Sequence, residues 1–425
     1  MRVLVIGSGG RESALAWALD RSPSTSEVVA APGNPGIARF GETRPLDTED
    51  GRAVLEVARA VGADLVVIGP EAPLVAGVGD ALRAAGLLVF GPSAAAARIE
   101  GSKAYAKELM ARAGVPTASG RAFQSVREAT AFLDELGPPF VVKADGLAAG
   151  KGVVVTTDRD EAVAGIEERL VAGRFGAAGR TVVIEEYLDG EEASLIALSD
   201  GRTILACEPA QDYKRAHDAD QGPNTGGMGS YSPVPSCPDD LVRCLSEEVM
   251  APVVAATAAR GAPFSGALYA GLVLGPRGAR VLEFNARFGD PETQALLPRL
   301  HSDLAELCRA CAEGALEGAK LHWRPEPCVA VVLASGGYPG SYRAGLPIEG
   351  LGEAAAHTGV EIFHAGTELR DGRVVTAGGR VLAVSALGKT FSAARERAYR
   401  AASCIRFEGA QLRSDIGRRA VEAEV

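Results

Sequence analysis

The chain has 425 residues, enough for two to four domains at about 100–200 residues each. With 47% hydrophobic and 23% charged residues it has the composition of a globular protein, which excludes a disordered chain, and no apolar run approaches the ~18 residues of a membrane span. A formal net charge of −10 speaks against nucleic acid as the main partner, and seven scattered cysteines, an odd number, speak against a disulfide framework and for a reducing, cytoplasmic setting.

The first predicted strand is Val3–Ile6; its apolar run is too short for a signal-peptide core. An amphipathic helix follows over Glu12–Asp20, then strand Glu27–Ala31, helix Asp50–Ala60, strand Asp64–Ile68, helix Ala76–Ala85 and strand Leu87–Phe90. Such alternation predicts an α/β unit with a doubly wound parallel sheet, whose ligands sit at the carboxyl ends of the strands. Those ends, at Gly7–Glu12, Pro32–Gly36, Gly69–Pro73 and Gly91–Ser93, are turn-rich and suit one shared crevice. Helix Lys103–Ala113 leads into shorter strands at Phe140–Ala144, Gly152–Thr156, Thr181–Glu185 and Ala193–Ser199. Residues 206–235 carry little secondary-structure signal and are crowded with Gly, Asp, Asn and Pro; a compact domain keeps so long an irregular segment chiefly for function. Strands return at Gly266–Leu274 and Ala279–Asn285, and Pro325 and Pro327 mark a boundary. Cys308 and Cys311 read as two small buried residues on one helix face, not half of a zinc site. The last hundred residues read as mostly β: a hairpin of Glu361–His364 and Arg373–Thr376 around Asp371-Gly372, strand Arg380–Ala386, then helix Ser392–Ser403. The expected domains are 1–101, 102–325 and 326–425.

Four stretches carry chemistry. Gly7-x-Gly9-Gly10, between a strand and a helix, suggests an anion site or a plain turn. A dinucleotide fingerprint wants Gly or Ala where Glu12 stands and an acid near Ala30-Ala31-Pro32. The second stretch runs from Lys143 through Gly146, Gly150 and Lys151 to Gly152. It is not a Walker loop, because the spacing is one residue short, Gly152 replaces the Ser/Thr, and a β-run follows. It reads as strand, flexible loop, strand: a flap over phosphates, or an ordinary Gly hairpin. Third, a strand ends in Glu185-Glu186-Tyr187-Leu188 and continues to Glu192. Such an edge can offer main-chain groups to a purine and a carboxylate to ribose, or be an acidic surface turn. Fourth, Glu283 and Asn285 lie two apart on a strand and so share a face. Two oxygen donors suit Mg²⁺, and Arg287 continues the face toward a phosphate, the alternative being a salt-bridged edge. Lysine is scarce, seven against 37 arginines, yet Lys103, Lys143, Lys151 and Lys214 fall in or near these stretches.

In this order, Lys103, the Lys143 strand with its Gly loop, the Glu-Glu-Tyr-Leu turn and Glu283-x-Asn285 resemble an ATP-grasp domain. The whole chain is similar to the phosphoribosylamine–glycine ligases, the glycinamide ribonucleotide synthetases. The similarity rests on Gly7–Glu12, Lys143–Gly152, Gln211–Arg215, Gly222–Gly229 and Glu283–Glu292, with Ser335–Gly340 and Arg413–Gly417 in the last quarter. It implies a pre-ATP-grasp N-terminal sheet, a central α+β ATP-grasp domain with a lid over about residues 118–190, and a carbon–nitrogen ligase. That ligase joins glycine to 5-phosphoribosylamine at the expense of ATP, through glycyl phosphate, with Mg²⁺ or Mn²⁺. Its partners are these small molecules, with no nucleic acid and no membrane, and the chain is expected to be a monomer or weak homodimer.

The resemblance implies roles as well. Lys103, Lys143, Arg287, Asp212 and Lys214 are the expected catalytic residues. ATP falls to Lys103, Lys143, Gly150, Lys151, Gly152, Glu185, Glu186, Tyr187, Leu188 and Glu192, and the metal to Glu283 and Asn285. The other substrates fall to Gly9, Gly10, Arg11, Glu12, Gly69, Pro70, Glu71, Asn224, Thr225, Gly226, Gly227, Met228, Asp290 and Glu292. Two departures stand out: Ser13 where the family usually has His, and no acid in Gly266–Leu274, where many ATP-grasp ligases carry a further metal ligand.

Overall fold

A computed structural model describes residues 1–148, 152–172 and 176–424. Strands β1 (Arg2–Gly7), β2 (Glu27–Pro32), β3 (Gly41–Thr43), β4 (Leu65–Ile68) and β5 (Leu88–Phe90) form a wholly parallel sheet in the order β3-β2-β1-β4-β5. Both faces are covered, which explains the unbroken apolar runs. Leu4, Ile6, Val66 and Ile68 share one core with Val54 and Ala58 of helix Gly51–Val61; Val3, Val5, Leu65 and Val67 share another with Leu15 and Leu19 of helix Gly10–Asp20. The helix expected over Ala76–Ala85 is Val78–Ala84, entered through Gly77, which is left-handed at φ +85°; a separate short helix, Glu71–Val75, precedes it and begins inside the strand end read as turn-rich. β2 and β4 flank β1 on opposite sides, so the strand order reverses there, and the ends of β1 and β4 bring Arg11 and Glu71 within 3.8 Å.

Strands β6 (Gly120–Phe123), β7 (Phe140–Ala144), β8 (Val153–Thr156) and β9 (Val182–Glu186) form an antiparallel sheet, ordered β6-β9-β7-β8. Its core, including Leu133, Phe140, Val142, Ile166 and Ile184, is separate from the other clusters. Next come β10 (Glu191–Asp200) and β11 (Ile204–Ala206). The stretch 206–235, expected to be irregular, holds β12 (Gln211–Asp212), β13 (Arg215–His217), β14 (Gln221–Asn224) and β15 (Gly229–Ser232). β16 (Ser265–Gly275) and β17 (Gly278–Asn285) complete a second antiparallel sheet, β11-β10-β16-β17.

The last quarter supplies β18 (Cys328–Ala334), β19 (Val360–His364), β20 (Thr367–Arg370), β21 (Arg373–Thr376) and β22 (Arg380–Leu387). The sheet runs β12-β15-β18-β22-β19, so two strands from the middle of the chain are built into it, across the Pro325 boundary. The Asp371-Gly372 turn, with φ +50° and +74°, closes β20 onto β21; the expected first arm is β19, which pairs with β22 instead. All seven cysteines are free, and Cys308 and Cys311 are buried on helix Leu304–Glu313. Among the described residues no helix is long and apolar enough to cross a membrane.

Candidate active site

One cleft of about 870 Å³ is lined by residues of the two middle antiparallel sheets, of β12–β14, by Arg380 of β22, and by Arg11 and Glu71 from the helices that follow β1 and β4. Its floor is β17. Glu283 and Asn285, two apart on β17, line the cleft, and so does Arg287, two residues past the end of the strand. Burial alone would raise the pKa of Glu283, but Lys214, Lys103, Lys143 and Arg287 together hold it below the usual carboxylate range. An ionised carboxylate beside an amide oxygen is a donor pair for a hard divalent cation. Among the described residues no group of three or more His, Cys, Asp or Glu could cage a metal. The pair therefore fits an ion that takes its remaining ligands from phosphates and water.

Three lysines meet above the floor. Lys143 on β7 pairs with Glu185 of β9 at 2.6 Å and donates to the Leu282 carbonyl at 3.2 Å. Lys107 pairs with the same carboxylate at 3.0 Å. Lys103 opens helix Lys103–Ala113, capped by Ser102, and donates to the Gly146 carbonyl at 3.0 Å; burial lowers its pKa, with Glu283 opposing. Glu186 lies at the rim of the cleft, accepting from the Ser119 amide and from Arg277, both at 2.9 Å. Tyr187 is exposed, whereas Leu188 packs with Ala118, Val273 and Leu282 into an apolar patch on the cleft wall. Gly150 and Lys151 lie outside the described residues; Gly146 and Gly152, at either end of that loop, line the cleft.

Opposite, Lys214 pairs with Glu192 at 2.6 Å and lies 3.8 Å from Asp212. Burial pushes Asp212 up to about 7, with Glu292 and Glu192 adding to the rise and Lys214 opposing it. Glu292 is buried and accepts from Tyr269 at 3.0 Å and Ser194 at 3.1 Å. Asn224, Thr225 and Gly226 line the cleft; Gly227, at φ +109°, and the buried Met228 lie behind them.

At the N-terminal sheet Arg11 and Glu71 reach the cleft, while Gly9, Gly10, Glu12, Gly69 and Pro70 do not line it. The anion place at the start of helix Gly10–Asp20 is filled by the chain itself. The Glu12 carboxylate accepts from the Gly9 amide at 2.7 Å and pairs with Arg11. Gly7, at φ +125°, makes room for it: a Cβ there would lie 2.6 Å from Glu12 Cγ. Ser13, the departure from the family pattern, is buried and donates to the His364 carbonyl at 2.7 Å, so it faces the C-terminal quarter and not the cleft. Burial opposes ionisation of Glu71, yet Arg287 and Arg11 hold it down to about 2.

Sequence reasoning missed four contributors. Glu100 lies at the end of helix Ala94–Gly101, pairs with Arg287 at 2.9 Å and accepts from the Ala286 amide at 2.7 Å. Lys107 follows Lys103 by one helical turn, and that spacing was a usable signal. Arg380 begins β22 and pairs with Asp290 at 3.1 Å, also donating to the carbonyls of Asp290 and Gly226. The Tyr338 hydroxyl accepts from the Gly226 amide at 3.0 Å. Tyr338, in the turn after β18, stands within the Ser335–Gly340 stretch that carries the resemblance, whereas Arg380 is brought in by the pairing of β22 with β18, which nothing local marks.

Sequence profiles of three domains match the chain: "Phosphoribosylglycinamide synthetase, N domain" over residues 1–100, its "ATP-grasp (A) domain" over 101–293 and its "C domain" over 328–419. The chain is 51% identical over 424 residues to the phosphoribosylamine–glycine ligase of Rhizobium meliloti (strain 1021) and 52% identical over 426 residues to that of Streptomyces coelicolor, covering 100% of each pair. The crystal structure of the Thermotoga maritima phosphoribosylamine–glycine ligase superposes with a TM-score of 0.86 at 34% identity, over 98% of this chain and 100% of that one. The biotin carboxylase domain of Hydrogenobacter thermophilus 2-oxoglutarate carboxylase, at TM-score 0.74 and 18% identity over 97% of this chain and 91% of that one, shares the fold alone.

Proposed function

From the premise that the chain belongs to the phosphoribosylglycinamide synthetase family, we propose how it joins glycine to 5-phosphoribosylamine, with ATP cleaved to ADP and phosphate. The observation that carries the reading is the meeting, in one cleft, of the Glu283–Asn285 donor pair, the Lys103–Lys107–Lys143 cluster and the Asp212–Lys214 pair.

Glycine's carboxylate is a poor acyl donor, so its oxygen first attacks the γ-phosphorus of ATP, giving glycyl phosphate and ADP. Both partners are anions, and the step needs alignment and charge neutralisation more than a covalent catalyst. Lys103 and Lys143 take the phosphates, a role that the family resemblance also gives to Gly150, Lys151 and Gly152. Glu185, Glu186, Tyr187, Leu188 and Glu192 hold the nucleoside, with Leu188 and Leu282 against the base. Glu283 and Asn285 would hold Mg²⁺ or Mn²⁺, which when bound would neutralise charge developing on the phosphates. Arg287 meets the reacting carboxylate. The unit 118–190, with its own core, closes as a lid and keeps water from the acyl phosphate.

The amine nitrogen then attacks the acyl carbon, phosphate leaves, and the proton on nitrogen passes to Asp212, with Lys214 beside it. Arg11, Glu71, Asn224, Thr225, Gly226, Asp290 and Glu292 hold the sugar phosphate. Gly9, Gly10, Glu12, Gly69, Pro70, Gly227 and Met228 shape that wall from behind. The seven free cysteines suit a reducing cytoplasm.

The test is ADP release that requires both glycine and freshly made phosphoribosylamine; release independent of either one overturns the reading. Two further results are expected. Asp212 accepts a proton only when ionised, and its pKa is raised to about 7. With phosphoribosylamine limiting, kcat/KM should therefore fall below about pH 7, roughly tenfold per pH unit, and Asp212→Asn should flatten that limb. A profile unchanged by Asp212→Asn would remove it as the base. Glu71→Ala should raise KM for phosphoribosylamine roughly 10-fold or more while KM for ATP stays near its original value. Equal weakening of both would mean that Glu71 serves only to hold Arg11 and Arg287.

A further inference from the structure

The segment Arg413-Ser414-Asp415-Ile416-Gly417 lies outside the cleft, on the far side of the chain that carries Asp212 and Lys214. Arg413 is 1% exposed and fully engaged. Its Nε and Nη2 fork onto Asp415 at 2.8 and 2.7 Å, and its Nη1 donates to Asp220 at 2.9 Å and to the Arg215 carbonyl at 3.1 Å. Its guanidinium centre lies 4.7 Å from the centre of the Tyr213 ring. The Tyr213 hydroxyl accepts from the Gly417 amide at 3.0 Å.

Tyr213 lies between Asp212 and Lys214. On extended backbone, neighbours point to opposite sides. Tyr213 is buried toward the C-terminal quarter, and Asp212 and Lys214 line the cleft. The same five residues seize the next turn: Ala219 donates its amide to Asp415 at 2.9 Å, and Ser414 donates its amide to Asp218 at 2.8 Å. Ala219 and Asp220 are both left-handed, at φ +55° and +54°. Two successive non-glycine residues hold that conformation only where the surroundings impose it, and such sites gather where geometry matters to function.

We propose that Arg413 is a positioning residue for the amine-transfer half of the reaction: through Tyr213 and the 218–220 turn it fixes Asp212 against the incoming amine, while phosphoryl transfer at Lys103, Lys143 and Glu283 does not depend on it. This rests on the reaction proposed above. An acyl phosphate can be captured by hydroxylamine, whose nitrogen attacks the acyl carbon, expels phosphate and gives glycine hydroxamate. Being small and strongly nucleophilic, hydroxylamine needs no placed base or sugar site, so it reports the first step alone.

The experiment compares the unmodified full chain with Arg413→Ala, Arg413→Lys and Tyr213→Phe. It follows thermal melting, hydroxamate formation from ATP, glycine and hydroxylamine, and amide formation with phosphoribosylamine. Arg413→Ala should keep hydroxamate formation within roughly threefold while amide formation falls roughly 30-fold or more, mainly in kcat. Arg413→Lys should recover only part, since an ammonium cannot reproduce the planar fork. Parallel loss of both activities, or no loss of amide formation, overturns the proposal. Should Arg413→Ala fail to fold, Tyr213→Phe, which removes one acceptor only, must show the same split in smaller measure; equal effects on both nucleophiles then overturn it. An unmodified chain that forms neither product overturns the reaction itself, not the positioning role.

Discussion

Glu283→Gln is expected to lower kcat by roughly 10²-fold or more while leaving the fold intact. The substitution keeps shape and one oxygen but removes a charge held ionised by four cations. Those cations then repel one another across the floor of the cleft, and the donor pair that fits a hard cation becomes two neutral amides. Stability should change little, because Glu283 lines the cleft and does not tie sheets together. The rate should also demand more metal for saturation. Melting, kcat and the metal dependence of the rate check the three parts, and an unmodified kcat at saturating Mg²⁺ would remove Glu283 as a ligand.

Arg287→Met should be the most destabilising single change in the cleft. Arg287 bridges Glu71 at 3.2 Å and Glu100 at 2.9 Å, joining the N-terminal sheet to β17. Its loss leaves the buried Glu100 carboxylate without its cation and facing the half-buried Glu71, and breaking a buried pair from one side typically costs about 3–5 kcal/mol. The cost has a definite pH dependence. Burial already raises the Glu100 pKa, with Arg287 the main opposing influence. Without that cation the pKa rises further, so the folded state binds a proton that the unfolded chain releases. The penalty is thus full above the new folded value and is relieved as pH falls toward the ordinary carboxylate range. Melts at about pH 8 and about pH 5.5 should show the deficit shrinking in acid, and Glu100→Gln added to Arg287→Met should restore much of it. A deficit independent of pH would mean that lost packing, not stranded charge, is responsible.

What the sequence made legible follows from local rules. Glu283 and Asn285 could be placed on one face because a strand alternates, and Lys143 stood out because lysine is rare here. Arg287 was read as a continuation of that face, but its carboxylate partners were invisible: Glu71 and Glu100 are 216 and 187 positions away in sequence, and only the switch in strand order at β1 brings Glu71 near. The stretch 206–235 looked irregular because its strands are two to four residues long and rich in Gly, Asp and Pro. They exist by pairing with β18 and with each other, which no local propensity records. The Gly9-Gly10 turn was read as an anion site or a plain turn, and the structure favours the turn, because Glu12, one turn into the helix, folds back onto the Gly9 amide. The hairpin at Asp371-Gly372 was legible as a turn, but its first arm was misplaced, since the true arm, Thr367–Arg370, has one large apolar residue, Leu369, and the nearby Glu361–His364 is the more apolar segment.

The pairing of β15 with β18 sets an order of events during synthesis. β15 leaves the ribosome about 100 residues before its partner strand exists. At roughly 5–20 residues per second, that is about 5–20 s in which the wall carrying Asp212 and Lys214 has a frayed edge and no support from Arg413. The nucleotide half of the cleft, built from residues up to Arg287, can form in the meantime. A nascent chain should therefore bind ATP before it can complete an amide bond, and a chain stopped short of residue 328 would stay in that half-finished condition.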